Sequence, residues 1–342
     1  MILRTATPRL LALLATASCN WLSLAKNALS YRELARGAAG NLAATDSVIY
    51  ATLAEDGLAV MDGRSGQVLA TLLPPRPSES VDDLALADDL LFVLDARAPG
   101  HLSAYSLRDP LRPRLVSPPR EVPVGPFSGV SAHASLCIVS GGTSALTAWR
   151  YDSGGLSAHP PATADLGRGQ PDVMLGPDGR VAYVSTHYWG PYFGLDVVRY
   201  DSASSRLNLL AKLALDGAGF TTGGAKPANF PIEAASLSFD TVLVAHARGL
   251  AVIDVHEPGR PRLLETIDVG GPAVNVDALD AFALVAVSGP APALVLLTFA
   301  GGRTAVARRI ALASGTFPAG VALTATHAAV ALGDRGVQVF QR

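Results

Sequence analysis

The stretch GLAVIDVHEPGRPRLLETIDV, residues 249–269, reads as two short strands around a turn. Residues 250–255 alternate small and large apolar side chains around Ala251 and Ile253, the period of a strand. His256-Glu257-Pro258-Gly259 interrupts them. Proline presets φ and glycine tolerates positive φ, so the pair marks a turn. Pro261 has no N–H to donate and belongs to that turn, not to a central strand. Residues 262–268 then resume the apolar alternation. Just upstream, residues 232–237 and 241–245 supply two more short strands about Ser238-Phe239-Asp240.

The third strand of this unit recurs along the chain. Its copies are GLAVMD from Gly57, HLSAYSL from His101, ALTAWRYD from Ala145, GLDVVRYD from Gly194, GLAVIDV from Gly249, ALVLLTF from Ala293 and GVQVFQR from Gly336. Successive starts lie 44, 44, 49, 55, 44 and 43 residues apart. Four strands in such a period is the size of one propeller blade. A lone blade cannot bury both faces of its sheet, so seven copies predict an all-β, seven-bladed β-propeller. The segments run from about residue 38 to 74, then to 124, 167, 224, 269, 314 and 342. The two long intervals imply insertions around the fourth blade, which in repeats map to loops. The last copy reaches Arg342 directly after its third strand. Residues 28–35, whose pattern fits helix or strand, are therefore expected to supply its outer strand and close the ring.

Apolar residues are 49% of the chain and charged ones 16%, enough for a large core. The 33 glycines and 24 prolines suit many tight turns. Net charge is −2 with no block of Lys or Arg, which argues against nucleic-acid binding through a basic face. Two cysteines, Cys19 and Cys137, make no disulfide framework, and Cys137 in the run LCIV reads as a packed core thiol.

Residues 1–28 stand outside the repeat. Arg4 and Arg9 precede the apolar run 10–17, far too short to span a bilayer. Ala15-Thr16-Ala17 fits signal-peptide cleavage, which predicts secretion or a periplasmic location. Thr16-Ala17-Ser18-Cys19 resembles a bacterial lipoprotein box, and would tether the protein at the cell surface. The basic, Ser/Thr/Ala-rich, acid-free first 32 residues also fit an organelle transit peptide. On this reading residues 1–28 are a targeting segment and 29–342 the propeller, expected to be monomeric.

Inside the repeat, Pro177-Asp178-Gly179 marks a tight turn between two strands. Asp82, Asp83, Asp88 and Asp89 flank LALA without the spacing of a calcium loop, and are read as solvated turns.

Two propeller families are resembled. GLAVIDVHEPGRPRLLETIDVGG resembles the LVIVD-repeat proteins, with partial echoes in GLAVMD and SAYSLRDPLRPRLV. TAWRYDSGGLSAHPPATADLGRGQPDVMLGPDGRVAYVS looks like the lactonase-type propellers related to 6-phosphogluconolactonase and to surface-layer repeats, with PDGRVAYV as its core. These motifs imply the propeller fold and assign no catalytic residue.

In a propeller, loops joining second to third strands and loops joining blades share one face. There the fourth copy carries Thr186-His187-Tyr188-Trp189-Gly190-Pro191-Tyr192-Phe193, a concentration of rings in a chain with 6% aromatics. Such a loop either stacks on a sugar or other flat ligand or packs its own rings over the channel. Neighbouring loops add Asp56, Asp95, Arg97, His101, His246, Arg248, Asp334 and Arg335. Blade links add Glu79, Arg168, Lys226, Asn229 and Glu233. Residues 216–230 do not fit a phosphate loop: Gly224-Ala225-Lys226 is not Gly-Lys, and Pro227 obstructs the helix start. Zinc spacings, CxxC and GxSxG do not occur, and no metal or cofactor is expected.

The leading reading is a propeller that binds a protein, glycan or small molecule through Tyr188, Trp189, Tyr192, Arg168, Asp334 and Arg335. The alternative is a lactonase-like hydrolase of a sugar lactone or ester. In it His187 or His246 acts as base, and Arg248 or Arg168 stabilises the oxyanion. A rigid assembly scaffold ranks third.

Overall fold

A strand with bulky apolar side chains on both faces needs a sheet packed on each side, and seven such strands demand seven seams. The computed structural model describes residues 40–341 except 54–56, 73–80, 96–99, 123–128, 142–144, 167–168, 188–192, 216–233, 239 and 301–302. It contains seven antiparallel sheets and, among the described residues, no helix. Blade 1 runs Leu42–Ala44, Val48–Thr52, Leu58–Asp62, Val68–Leu72. Blade 4 runs Gly169–Leu175, Val181–His187, Phe193–Asp201, Arg206–Ala214. Blade 5 (Ala234–Ser238, Thr241–His246, Gly249–Asp254, Arg262–Ile267) and blade 6 (Ala273–Leu279, Phe282–Val287, Ala293–Ala300, Arg303–Ala311) repeat the order.

Blade 2 (Asp83–Ala87, Leu90–Asp95, Gly100–Ser106) and blade 3 (Val130–His133, Leu136–Ser140, Ala145–Asp152) each split the outer strand into two short pieces on the third strand. Blade 7 has three described strands, Gly320–Leu323, His327–Ala331 and Val337–Gln341. All seven recurring segments lie on third strands, and the seven-bladed reading holds. The expected closing strand, residues 28–35, and the leader fall outside the described residues.

Each blade's first strand touches the first strands of the blades on either side, and the ring closes between Leu42–Ala44 and Gly320–Leu323. Seven apolar clusters fill the seven seams. Strand parity assigns each side chain to a seam. In Leu136–Ser140, Cys137 and Val139 pack toward blade 2, whereas Leu136 and Ile138 pack toward blade 4. Cys137 is thus a fully buried core thiol, and burial pushes its pKa far up.

Turns follow local chemistry. Gly179 takes φ +62° in the expected turn, and its N–H donates to Gly176 O at 2.9 Å. Gly259 behaves otherwise: its φ is not left-handed, and a Cβ there would meet nothing within 4 Å. That turn is organised by Asp254, whose Oδ1 accepts the His256 N–H at 3.0 Å, and by the Arg260 N–H to Glu257 O at 2.7 Å.

Candidate ligand site at the channel mouth

A first strand has a partner strand on one edge only, so side chains of its neighbours must satisfy the groups on the other. Polar residues at the start of the inner strands do this across blade boundaries. Asp83 of blade 2 accepts the Val130 N–H of blade 3 on Oδ2 at 2.7 Å, and Asn41 Nδ2 of blade 1 on Oδ1 at 3.0 Å. Asn275 Oδ1 of blade 6 accepts the Val321 N–H of blade 7 at 3.1 Å, and Asp277 Oδ2 accepts the Leu323 N–H at 2.7 Å. Ser131 Oγ accepts the Leu175 N–H between blades 3 and 4 at 2.9 Å.

These residues line the axial channel, a cavity of about 300 Å³ walled by Asn41, Asp83, Ser131, Asp172, Asn275 and Asp277 among small apolar side chains. A Cβ on Gly129 would stand 2.7 Å from Asp172 Oδ1. Asp172 and Asp83 therefore flank the start of blade 3's inner strand from opposite sides. Burial, then the charge of Asp172, pushes Asp83 up to about 8. Burial raises Asp277 to about 6. Both count as half-exposed by surface area because the exposed part faces the hollow channel. The carboxylates themselves sit deep inside the ring, and desolvation dominates. This corrects the solvated-turn reading of Asp83, although Asp82, Asp88 and Asp89 are exposed as expected.

The expected rim residues divide. His246 ends the second strand of blade 5, and its parity with Val242 and Val244 turns it into the seam with blade 4. It is 5% exposed, and its Nδ1 accepts the Arg248 N–H at 3.2 Å. Burial, then Arg248's charge, lowers its pKa to about 4. The Arg248 side chain is exposed, as are Asp334 and Arg335, the latter donating from Nη2 to Ser314 O at 3.3 Å. The main chain of His187 pairs with Phe193 at the end of blade 4's second strand, the position His246 holds in blade 5. Tyr188, Trp189, Tyr192 and Arg168 lie outside the described residues, as do Asp56, Arg97, Glu79, Lys226, Asn229 and Glu233.

Asp95 and His101 are not rim groups. Both are buried with 4.0 Å between Oδ2 and Nδ1, and Asp95 shares parity with Leu91 and Val93, which face blade 1. Sequence reasoning also missed Asp196, 1% exposed, with Lys212 Nζ 3.6 Å from its Oδ2 and 3.4 Å from Leu166 O of the neighbouring blade. The collar too was missed. Its signal is a polar residue followed by Leu or Val near the start of four first strands: Asn41-Leu42, Asp83-Leu84, Asp172-Val173 and Asn275-Val276. Among the described residues no three His, Cys, Asp or Glu side chains group as metal ligands.

No family model matches the chain, and no curated protein matches it. The resemblances to LVIVD-repeat and lactonase-type propellers thus rest on their motifs alone. Solved structures do match: that of U3-55K superposes with a TM-score of 0.62 at 10% identity, covering 90% of this chain and 96% of that one. At that identity the likeness shows the propeller fold and nothing finer.

Proposed function

We propose that this protein is a secreted or membrane-tethered binding propeller, its ligand docking where the polar collar opens toward the loop face. The observation that carries the reading is the collar itself, Asn41, Asp83, Asp172 and Asn275 around a channel of about 300 Å³. Among the described residues that line the channel are three aspartates and no Lys, Arg or His, so its walls offer carboxyl and amide oxygens as acceptors. A ligand presenting N–H or O–H donors fits best: an amine or guanidinium on a peptide, or the hydroxyls of a glycan.

Of the two bases named for lactone hydrolysis, His246 speaks for binding instead. A general base works best with a pKa near the operating pH. His246 is lowered to about 4 and its Nδ1 already accepts a main-chain N–H, so it is a weak proton acceptor at neutral pH. The test is calorimetric titration of the full chain with arginine-containing peptides, amino sugars and neutral oligosaccharides, beside a lactone panel. Donor-rich ligands should bind, and Asp172→Asn should weaken them about tenfold, the 1.4 kcal/mol of one charged contact. Lactone turnover that disappears in His246→Ala would establish the hydrolase instead. Binding unchanged by Asp172→Asn would move the site away from the collar.

A further inference from the structure

We infer that the axial channel takes a neutral, hydroxyl-rich ligand the size of one sugar ring, and that Asn275 and Ser131 select it over an ammonium or guanidinium group. This rests on the collar being the ligand site and names the ligand class within that reading. Hydrogen-bond accounting along the channel separates the two classes, because some polar atoms are already used and others are left for a guest.

Asn275 is 6% exposed and lines the channel. Its Oδ1 accepts the Val321 N–H of blade 7 at 3.1 Å, which fixes the orientation of the amide and leaves Nδ2 as the other arm. That nitrogen has no partner among the described residues, so a buried donor stands in the channel wall with nothing to meet it. Ser131 is similar. Its Oγ accepts the Leu175 N–H at 2.9 Å, and its own O–H has no acceptor among the described residues. Asn41 is the converse: Nδ2 donates to Asp82 O at 2.9 Å and to Asp83 Oδ1 at 3.0 Å, leaving Oδ1 as a spare acceptor. Asp277 accepts the Ala278 N–H on Oδ1 and the Leu323 N–H on Oδ2, and each oxygen keeps further capacity. The wall therefore offers donors as well as acceptors.

An ammonium or guanidinium carries donors only. It would satisfy the acceptors and leave Asn275 Nδ2 and the Ser131 hydroxyl unmet in a desolvated place. Each buried donor left so costs about tenfold in affinity. A hydroxyl donates its hydrogen and accepts on its lone pairs, so one polyol meets both kinds of group. Charge points the same way. Burial holds Asp83 at about 8, so near neutral pH its carboxyl keeps a proton and offers an incoming cation little charge. Size and lining agree. A cavity of about 300 Å³ is at the small end of ligand pockets and suits one ring better than a chain. Between the polar groups its described wall is aliphatic, including Ala43, Ala85, Ala132 and Val276, with no aromatic ring. That wall fits the C–H face of a sugar and leaves selectivity to hydrogen bonds.

Side-chain amide resonances of the isotope-labelled full chain test this, with the Asn275 pair identified by its disappearance in Asn275→Asp. The neutral probes are D-glucose, D-galactose, D-mannose and myo-inositol, and the cationic ones methylguanidinium and ethylammonium. At least one neutral probe should shift the Asn275 pair saturably, and both cations should compete about tenfold more weakly or worse. Asn275→Asp keeps an oxygen for the Val321 N–H and turns the donor arm into an acceptor. It should weaken the neutral probe about tenfold and erase its advantage over methylguanidinium. Deoxy analogues of the bound probe need no variant: at least one should lose about tenfold on the wild-type chain. Four results overturn the inference: cations that bind as well as every neutral probe, a neutral probe that leaves the Asn275 pair unmoved and binds Asn275→Asp equally, deoxy analogues that all bind like the parent, or no saturable shift by any neutral probe. Asp172→Asn separates this from the collar reading. A cation preference lost in that variant keeps the collar as the site and removes only the ligand class, whereas binding indifferent to it removes both.

Discussion

Replacing Asp83 with asparagine should flatten the alkaline side of the stability profile. Asp83 stands at about 8 in the folded protein, against about 3.9 for an aspartate in an unfolded chain. Between those values the native state holds a proton that the unfolded chain has released. Stability contributed by a raised carboxylate is present at low pH and declines as pH climbs toward the folded pKa, by up to about 1.4 kcal/mol per unit. Asp277, at about 6, has the same sign but acts only below that pH. His246 at about 4 and His327, lowered by burial, have the opposite sign. The unfolded chain protonates these imidazoles below about 6.5 and the native state does not, so stability falls on acidification.

Above about pH 6.5 the imidazole contribution is exhausted and the Asp83 trend runs unopposed by it. From 6.5 to 8.5 the Asp83 contribution amounts to about 1–2 kcal/mol, toward the lower figure where channel water screens the pair. Asp83→Asn keeps an acceptor for the Val130 N–H and asks Asn41 to turn its amide, at about 1 kcal/mol. Urea unfolding of both proteins across this range is the assay. The difference between them cancels the Cys137 thiol, whose contribution has the same sign and begins near pH 8.5. Parallel pH curves for wild type and Asp83→Asn would refute a raised Asp83 at the collar.

Gly249 takes φ +128°, and a Cβ there would lie 2.1 Å from Ile267 O, so Gly249→Ala should lower the unfolding free energy from urea titration by about 2–4 kcal/mol. Gly259→Ala, with nothing within 4 Å, should change that free energy by no more than about 0.5 kcal/mol. Phe92 is fully buried and meets Tyr151 edge-on with centroids 4.9 Å apart, so Phe92→Ala should destabilise by about 3–5 kcal/mol, read from the same unfolding curves. Cys137, followed by peptide mapping, should react with a thiol reagent only at the rate of unfolding, and rapid labelling in native buffer would contradict its packing.

The ring was legible because third strands, packed on both faces, cannot depart from alternation without opening a seam. GLAVID and ALVLLTF therefore announce themselves even where the loops between them share nothing. Polar residues were harder, since proximity to a loop was read as exposure. Parity decides the matter. In Thr241–His246 the side chains of Val242 and Val244 enter one seam, and His246 two positions on must follow them, whatever loop comes next. Asp95 follows Leu91 and Val93 in the same way. Asp82 and Asp83 carry the same carboxyl one residue apart, yet the first is exposed and the second lines the channel. The only local difference is that Asp83 precedes Leu84, a pairing too common to mark a channel by itself. What separates them is the offset each holds within the repeat: Asp83 falls where Asn41, Asp172 and Asn275 fall, at the mouth of a channel that exists only once seven sheets stand around one axis.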